Sequence, residues 1–292
     1  MSMGSQFRKL VHEATSALPV LGTINAYTAM LASRSGAQAL YLSGAGVANA
    51  SYGIPDLGMT GLEDVLIDVR RITQASVLPL LVDVDTGWGH VFNIARTIKL
   101  MERAGVAAVH IEDQQIAKRC GHRPNKAIVS MKEMGDRIKA AVDARLDPHF
   151  VIMARTDALA NEGMHAVIER AQYYVELGAD MIFPEALATL EDYRQVTSQI
   201  RVPVLANITE FGKTPLFTRD ELGQAGVKLA LYPLSAFRAM SYAALGVYQS
   251  ILSQGTQADW VDKMQTREQL YDVLQYREYE TMLDKIGEQD SE

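Results

Sequence analysis

Eight short runs of almost uniformly apolar residues recur along the chain, each followed by a stretch of helical periodicity. No other feature narrows the fold as much. The runs cover residues 20–26, 39–44, 78–85, 106–113, 150–157, 179–185, 202–208 and 229–234. Parallel strands covered on both faces need apolar side chains at nearly every position, not at every second one. Between the runs, Thr60-Gly61-Leu62-Glu63, Ser130-Met131-Lys132-Glu133 and Thr218-Arg219-Asp220-Glu221 read as capping boxes that open helices. Gly105 and Gly178 read as left-handed residues that close them. A helix is expected over 7–17 before the first strand. After residue 234 the strands stop, and 236–253 and 257–287, rich in Met, Tyr and Gln, read as helices suited to packing on another subunit. The expected fold is α/β: a (β/α)8 TIM-type barrel over about 18–235 with extra C-terminal helices over about 236–287, in one domain spanning 1–292. An open doubly wound sheet would carry a glycine-rich phosphate turn after its first strand, and Gly22-Thr23-Ile24-Asn25-Ala26 has none.

Composition then excludes partners. A net charge of −7 argues against nucleic acid and anionic membranes, both of which select basic surfaces. No apolar run is long enough to span a bilayer, and the first ten residues lack the core of a signal peptide. One cysteine in 292 residues cannot form an internal disulfide, so a reducing, cytoplasmic setting is expected. The natural partner is a small molecule.

A barrel carries its chemistry at the C-terminal ends of its strands. The unusual polar residues fall there: Tyr41 and Ser43-Gly44-Ala45 with Asp56 in the following loop, then Asp83 and Asp85, Glu112, Arg155, Glu185, Asn207-Ile208-Thr209, and Arg238. Asp83 and Asp85 stand two apart, so on a continuous strand both leave one face. Adjacent carboxylates repel unless a cation or proton lies between them. Mg²⁺ suits one or two carboxylates plus water, with Glu112 and Asp56 in support. Zinc is disfavoured by the lone cysteine and scattered histidines. Arg155, inside an apolar strand, can clamp an anionic substrate, as can Arg238 and Arg267, although an arginine taken alone is more often a surface ion pair. His110 reads as a core histidine, His12, His149 and His165 carry no signal, and His90 stays open.

The single cysteine sits in Lys118-Arg119-Cys120-Gly121-His122-Arg123-Pro124-Asn125-Lys126. A lone cysteine is usually buried and inert. Gly121 and Pro124 put this one in a loop, and the surrounding cations would lower its pKa toward a reactive thiolate. Together with Asp83-Val84-Asp85, Phe183-Pro184-Glu185-Ala186, Asn207-Ile208-Thr209-Glu210, Tyr232-Pro233-Leu234-Ser235 and Met264-Gln265-Thr266-Arg267, this box resembles the isocitrate lyase/phosphoenolpyruvate mutase superfamily over almost the whole chain. The box marks its lyases; the phosphonate-type mutases lack it. Isocitrate lyases show two lysines before the cysteine and carry inserted segments absent here. Ala45, where a glycine is expected, and the loop Thr86-Gly87-Trp88-Gly89-His90 depart from the pattern without removing a charged group.

The resemblance implies Mg²⁺-dependent cleavage of 2-methylisocitrate to pyruvate and succinate in propionate catabolism through the methylcitrate cycle, by a cytoplasmic homotetramer whose C-terminal helices are exchanged between subunits. The alternatives are isocitrate cleavage, or a related decarboxylase or phosphonomutase reaction; a binding protein without catalysis is made improbable by the intact polar set. By the same resemblance Asp83 and Asp85 bind the metal with Glu112 and Asp56 in support, while Ser43, Gly44, Ala45 and Arg155 hold the pyruvate-like end. Cys120, Gly121, Glu185, Asn207, Ile208, Thr209, Arg238 and Arg267 would face the succinyl end. Cys120 would deliver a proton, with His122 setting its pKa. Tyr41 is the first candidate for the base and Asp56 the second. The loop bearing Cys120 is expected to act as a lid, and Phe183 with Leu234 to receive the substrate methyl group.

Overall fold

The computed structural model describes residues 1–116, 118 and 127–289. The chain divides into two compact units, Met1–Phe237 and Arg238–Glu292.

The first unit opens with helix α1 (Met3–Glu13), capped by the Ser2 hydroxyl and starting four residues earlier than the periodicity suggests. Eight strands follow: β1 (Leu18–Gly22), β2 (Ala39–Leu42), β3 (Leu80–Asp83), β4 (Ala108–Glu112), β5 (Val151–Thr156), β6 (Met181–Pro184), β7 (Leu205–Asn207) and β8 (Leu229–Tyr232). Among the described residues these eight strands pair only in parallel, in the order β6-β5-β4-β3-β2-β1-β8-β7. The two ends of that order meet: Ile182 of β6 bridges Val204 in parallel, and its N–H donates to the Pro203 carbonyl at 3.0 Å. The sheet therefore closes into a TIM-type (β/α)8 barrel.

Helices α2 (Ala26–Arg34), α4 (Leu62–Ala75), α5 (Val91–Arg103), α6 (Met131–Ala144), α7 (Leu159–Glu176), α8 (Leu190–Thr197) and α9 (Arg219–Gln224) cover the outside. A short turn, α3 (Gly44–Gly46), continues as a π-helical turn through Val47–Ser51. The Ser130 and Thr218 caps form as the sequence suggests. The α4 cap lies one residue later than expected, because Asp64, not Glu63, accepts the Gly61 N–H at 2.7 Å.

Pleat parity splits the core in two. Leu40, Leu42, Val82, Val109, Ile111, Ile152 and Ile182 face outward and pack with residues of the helices. Val20, Tyr41, Leu81, Ala108, Met153, Phe183 and Leu231 face into the barrel, joined by Phe7 and Val11 of α1. The observed strands end earlier than the apolar runs suggest: Asp85, Asp113 and Asp157 lie beyond β3, β4 and β5. There the Asp157 N–H turns onto the Asp113 carboxylate at 2.8 Å, and the Asp85 N–H turns back onto Asp83 Oδ1 at 3.0 Å.

The second unit holds most of α10 (Ser235–Gln254), a 3-10 turn Ala258–Lys263, α11 (Arg267–Val273) and α12 (Tyr276–Gln289). Within it Tyr271 and Tyr276 stack with ring centres 4.3 Å apart, and Lys263 lies over the Trp260 ring. Leu245, Tyr248, Met282 and Leu283 are exposed.

Candidate active site

The strand register builds the barrel interior in layers of four, each from alternate strands. Tyr41, His110, Phe183 and Leu231, from the even strands, form the uppermost layer without a formal charge. Above it the odd strands supply Asp83, Arg155 and Asn207, with Gly22 in the fourth place. A side chain on Gly22 is excluded, since its Cβ would lie 1.8 Å from the Pro233 carbonyl oxygen. Glu112 and Glu185 stand one step higher, at the tips of β4 and β6.

Asp83 and Asp85 do converge, but not through the pleat. β3 ends at Asp83, and Asp85 adopts left-handed backbone with φ 49°, which is unusual for a residue with a Cβ. Its N–H donates to Asp83 Oδ1 at 3.0 Å, and the Gly44 N–H donates to Asp83 Oδ2 at 3.1 Å. Burial would raise the Asp83 pKa, but the adjacent His110, Lys118 and Arg155 outweigh it and hold Asp83 below the usual carboxylate range. Asp85 goes the other way. Burial and the neighbouring Asp83 charge push it up to about 7, against the pull of Lys118.

Lys118 is the site residue that the sequence reading missed as a direct participant. Its ammonium is buried, 2.5 Å from Asp85 Oδ1 and 2.6 Å from Asp56 Oδ1, and these carboxylates hold it protonated in spite of burial. In the sequence it was one of five cations around a thiol, with nothing to single it out. Asp56 reaches the site through this lysine.

Arg155 is not the open clamp that its place in an apolar strand suggests. Its Nε lies 3.0 Å from Asp157 and 3.2 Å from Glu112, and one terminal nitrogen lies 3.1 Å from Glu185. Its guanidinium also stands 5.1 Å from the Phe183 ring centre. Three carboxylates on one buried cation leave the cluster rich in anions. Burial raises the Glu112 pKa well above its ordinary value even with Arg155 adjacent, and Glu112 Oε1 is buried with no hydrogen-bond partner among the described residues. Asn207 Nδ2 approaches Glu185 at 3.5 Å, and Glu185 also accepts the Ala186 N–H at 2.8 Å.

His110 is indeed buried, yet it forms the floor of this site. Its Nε2 lies 2.9 Å from the Tyr41 hydroxyl and 3.7 Å from Asp83 Oδ1. Burial pushes its pKa down to about 4, so the ring is neutral at pH 7. The period-two series Ala108, His110, Glu112 carried the signal, since all three share the inward parity. Tyr41 is spent on His110, and burial raises its hydroxyl pKa well above 10. Phe183 is fully buried, edge-on to His110, so it belongs to the floor and not to the rim. Leu234 is half-buried beside Gly46.

Ser43 and Gly44 are buried at the start of α3, Ala45 is half-buried beside them, and the Ser43 side chain caps no helix N–H. Ile208 and Thr209 follow β7 and are buried. Arg238 and Arg267 are exposed residues of the second unit. Cys120, Gly121 and His122, with the rest of the expected lid, lie outside the described residues. No three acidic, cysteine or histidine side chains among the described residues converge into a ready metal cage.

The family profile of phosphoenolpyruvate phosphomutase matches residues 7–252. The chain is 60% identical over 289 residues, 99% of each sequence, to the 2-methylisocitrate lyase of Shewanella oneidensis. It is also 60% identical over 286 residues, 98% of this chain and 96% of the relative, to that of Escherichia coli. A solved 2,3-dimethylmalate lyase, a PEP mutase/isocitrate lyase superfamily member, matches with a TM-score of 0.91 at 31% identity, covering 98% of this chain and 96% of that one.

Proposed function

The chain belongs to the phosphoenolpyruvate phosphomutase family, and from that premise we infer that it is a carbon–carbon lyase that cleaves 2-methylisocitrate. The observation that carries this reading is 60% identity sustained over 99% of both chains. The products are pyruvate and succinate.

Asp83 and Asp85, with Glu112 in support, would hold a Mg²⁺ ion. The donor set fits a hard cation: buried oxygens only, two like charges side by side, and an unpartnered Glu112 oxygen. Two carboxylates suffice for Mg²⁺, which keeps much of its water. When bound, it would polarise the oxygen of the forming pyruvate carbonyl.

The rest falls to the chain's own groups. Ser43, with a hydroxyl free of capping duty, holds the pyruvate-like end together with Gly44, Ala45 and Arg155. Asp56 is the better-placed base, because Tyr41 lies a layer below and is committed to His110. The base takes the proton of the substrate hydroxyl, the carbonyl forms, and the electrons of the breaking C–C bond move onto the succinyl carbon as an aci-carboxylate. Lys118 and Arg155 supply fixed positive charge against that developing anion. Cys120, tuned by His122, then donates its S–H proton to that carbon. Gly121, Glu185, Asn207, Ile208 and Thr209 receive the succinyl end; Arg238 and Arg267 stay in this set on resemblance alone.

A homotetramer with exchanged C-terminal helices belongs to the same reading, supported by the exposed Leu245, Tyr248, Met282 and Leu283 of the second unit. So does a cytoplasmic location. Among the described residues no helix is long and apolar enough to cross a membrane.

The test compares pyruvate release from 2-methylisocitrate with glyoxylate release from isocitrate, each with Mg²⁺ and with EDTA. Faster, Mg²⁺-dependent pyruvate release is expected. One methyl group discriminates by only about 1–3 kcal/mol, so slow isocitrate cleavage is compatible with the reading. Dominant glyoxylate release would overturn it.

A further inference from the structure

A second buried ionic cluster lies on the outer side of the β4 and β5 tips, and the mechanism does not use it. Asp113, fully buried, accepts the Thr156 hydroxyl at 2.7 Å, the Tyr174 hydroxyl at 3.1 Å, the Asp157 N–H at 2.8 Å and an Arg170 N–H at 3.4 Å. Arg170 also donates to Tyr174 at 3.1 Å and grips Glu162 through two nitrogens at 2.8 and 3.0 Å.

The cluster reaches the two stems of the segment that carries Cys120. Those stems pair: Gln114 bridges Ile128 in antiparallel fashion, the Gln115 N–H donates to the Ala127 carbonyl at 2.9 Å, and the Val129 N–H donates to the Asp113 carbonyl at 2.8 Å. Two buried arginines from different helices hold this neck from outside. Arg137 of α6 donates to the carbonyls of Glu112, the last residue of β4, and Gln114, on the outgoing stem, at 3.1 and 2.8 Å. Arg170 of α7 donates to the Val129 carbonyl at 3.1 Å, on the returning stem.

Replacing a buried ion pair by apolar residues of similar volume is often neutral for stability, so stability alone does not explain two buried guanidinium groups. What an apolar side chain cannot do is fix a backbone carbonyl in direction and distance. The anchors also adjoin the reacting groups: Glu112 and Asp157, whose backbones enter this network, send their side chains to Arg155.

We propose that Arg137 and Arg170 are positioning residues that lock the neck formed by residues 113–116 and 127–129, so that the Cys120 segment leaves and rejoins the barrel at a set place relative to Arg155. The inference rests on the catalytic role given to Cys120 above. A misplacement of about 1 Å can cost about a hundredfold in rate.

The test uses the full chain with Arg137→Met, Arg137→Lys, Arg170→Met and Tyr174→Phe, read by hydrogen exchange and by steady-state kinetics. Faster exchange confined to the amides of Gln115 and Val129 is expected in both Met variants, with the β3 amides still protected. With 2-methylisocitrate, kcat should fall about ten- to a hundredfold while KM stays within about threefold. Arg137→Lys, which keeps a donor, should recover part of kcat. If Arg170→Met does not fold, Arg137→Met and Tyr174→Phe decide. Unchanged neck exchange, or unchanged kcat with a loosened neck, would overturn the proposal. So would a loss of rate no greater than the loss of folded protein. Wild-type protein inactive on 2-methylisocitrate would instead defeat the functional reading, and the exchange data would still decide whether the arginines lock the neck.

Discussion

Glu112 and Asp113 are consecutive at the end of β4, and burial raises both carboxyls, yet they face opposite sides of the strand and meet different sets of partners. Outside, Asp113 is saturated, with two hydroxyls, a backbone N–H and a guanidinium on one carboxylate. Inside, Asp56, Asp83, Asp85, Glu112, Asp157 and Glu185 share two cations, Lys118 and Arg155. The difference teaches how to read buried charge. A saturated cluster holds geometry, while an anion-rich one stays stable only by taking up protons or a cation, and that demand is what a metal-assisted lyase can use.

Removing divalent metal is the most severe way to break the contrast. EDTA should abolish cleavage and added Mg²⁺ should restore it; turnover at full rate in EDTA would sink the inner half of the comparison. Asp85→Asn comes next. Losing that carboxylate should lower kcat/KM about a thousandfold, on the order of 4 kcal/mol of charge stabilisation. In EDTA the same variant should unfold no more easily than wild type, because a like-charge repulsion has gone.

Asp113→Ala should do the reverse. It takes the acceptor of the Tyr174 hydroxyl and one of several from Arg170, and a stability loss of about 3 kcal/mol is expected in urea unfolding, toward the low end because Arg170 keeps Glu162. A neutral Asp113→Ala would erase the distinction between the clusters.

A pH series sharpens it further. The Asp85 pKa is raised from 3.8 to about 7 in the folded chain, so its contribution to stability is fully present below about 3.9 and is lost as pH rises through about 7. Metal-free wild type should therefore lose stability relative to Asp85→Asn between those values. Parallel curves for the two proteins would contradict the assignment. The smallest effect is expected for Tyr174→Phe, about 1 kcal/mol, since Asp113 keeps its other donors.

How far such clusters could be foreseen depends on the range of the contacts that make them. The β/α rhythm, the eight strands and the parity of each strand are local properties of consecutive side chains, and they were legible. Asp83 and Asp85 converge, but not by the route their spacing predicts. The pleat was expected to align them, whereas a left-handed turn at Asp85 does so. Lys118 could not be told from its cationic neighbours until Asp56 and Asp85 stood around it. Arg155 looks like a free clamp in the sequence because two of its three carboxylates, Glu112 and Glu185, come from other strand ends, and only Asp157 stands nearby in the chain. The Asp113–Arg170 pair, 57 residues apart, gave no sequence signal at all.

By itself, then, the sequence determined a closed parallel barrel and the rim on which its polar residues gather, because hydrophobic periodicity acts between near neighbours. Only the tertiary structure decided which carboxylates are satisfied and which are not. A buried charge takes its pKa and its role from every group packed around it, and those groups arrive from distant parts of the chain.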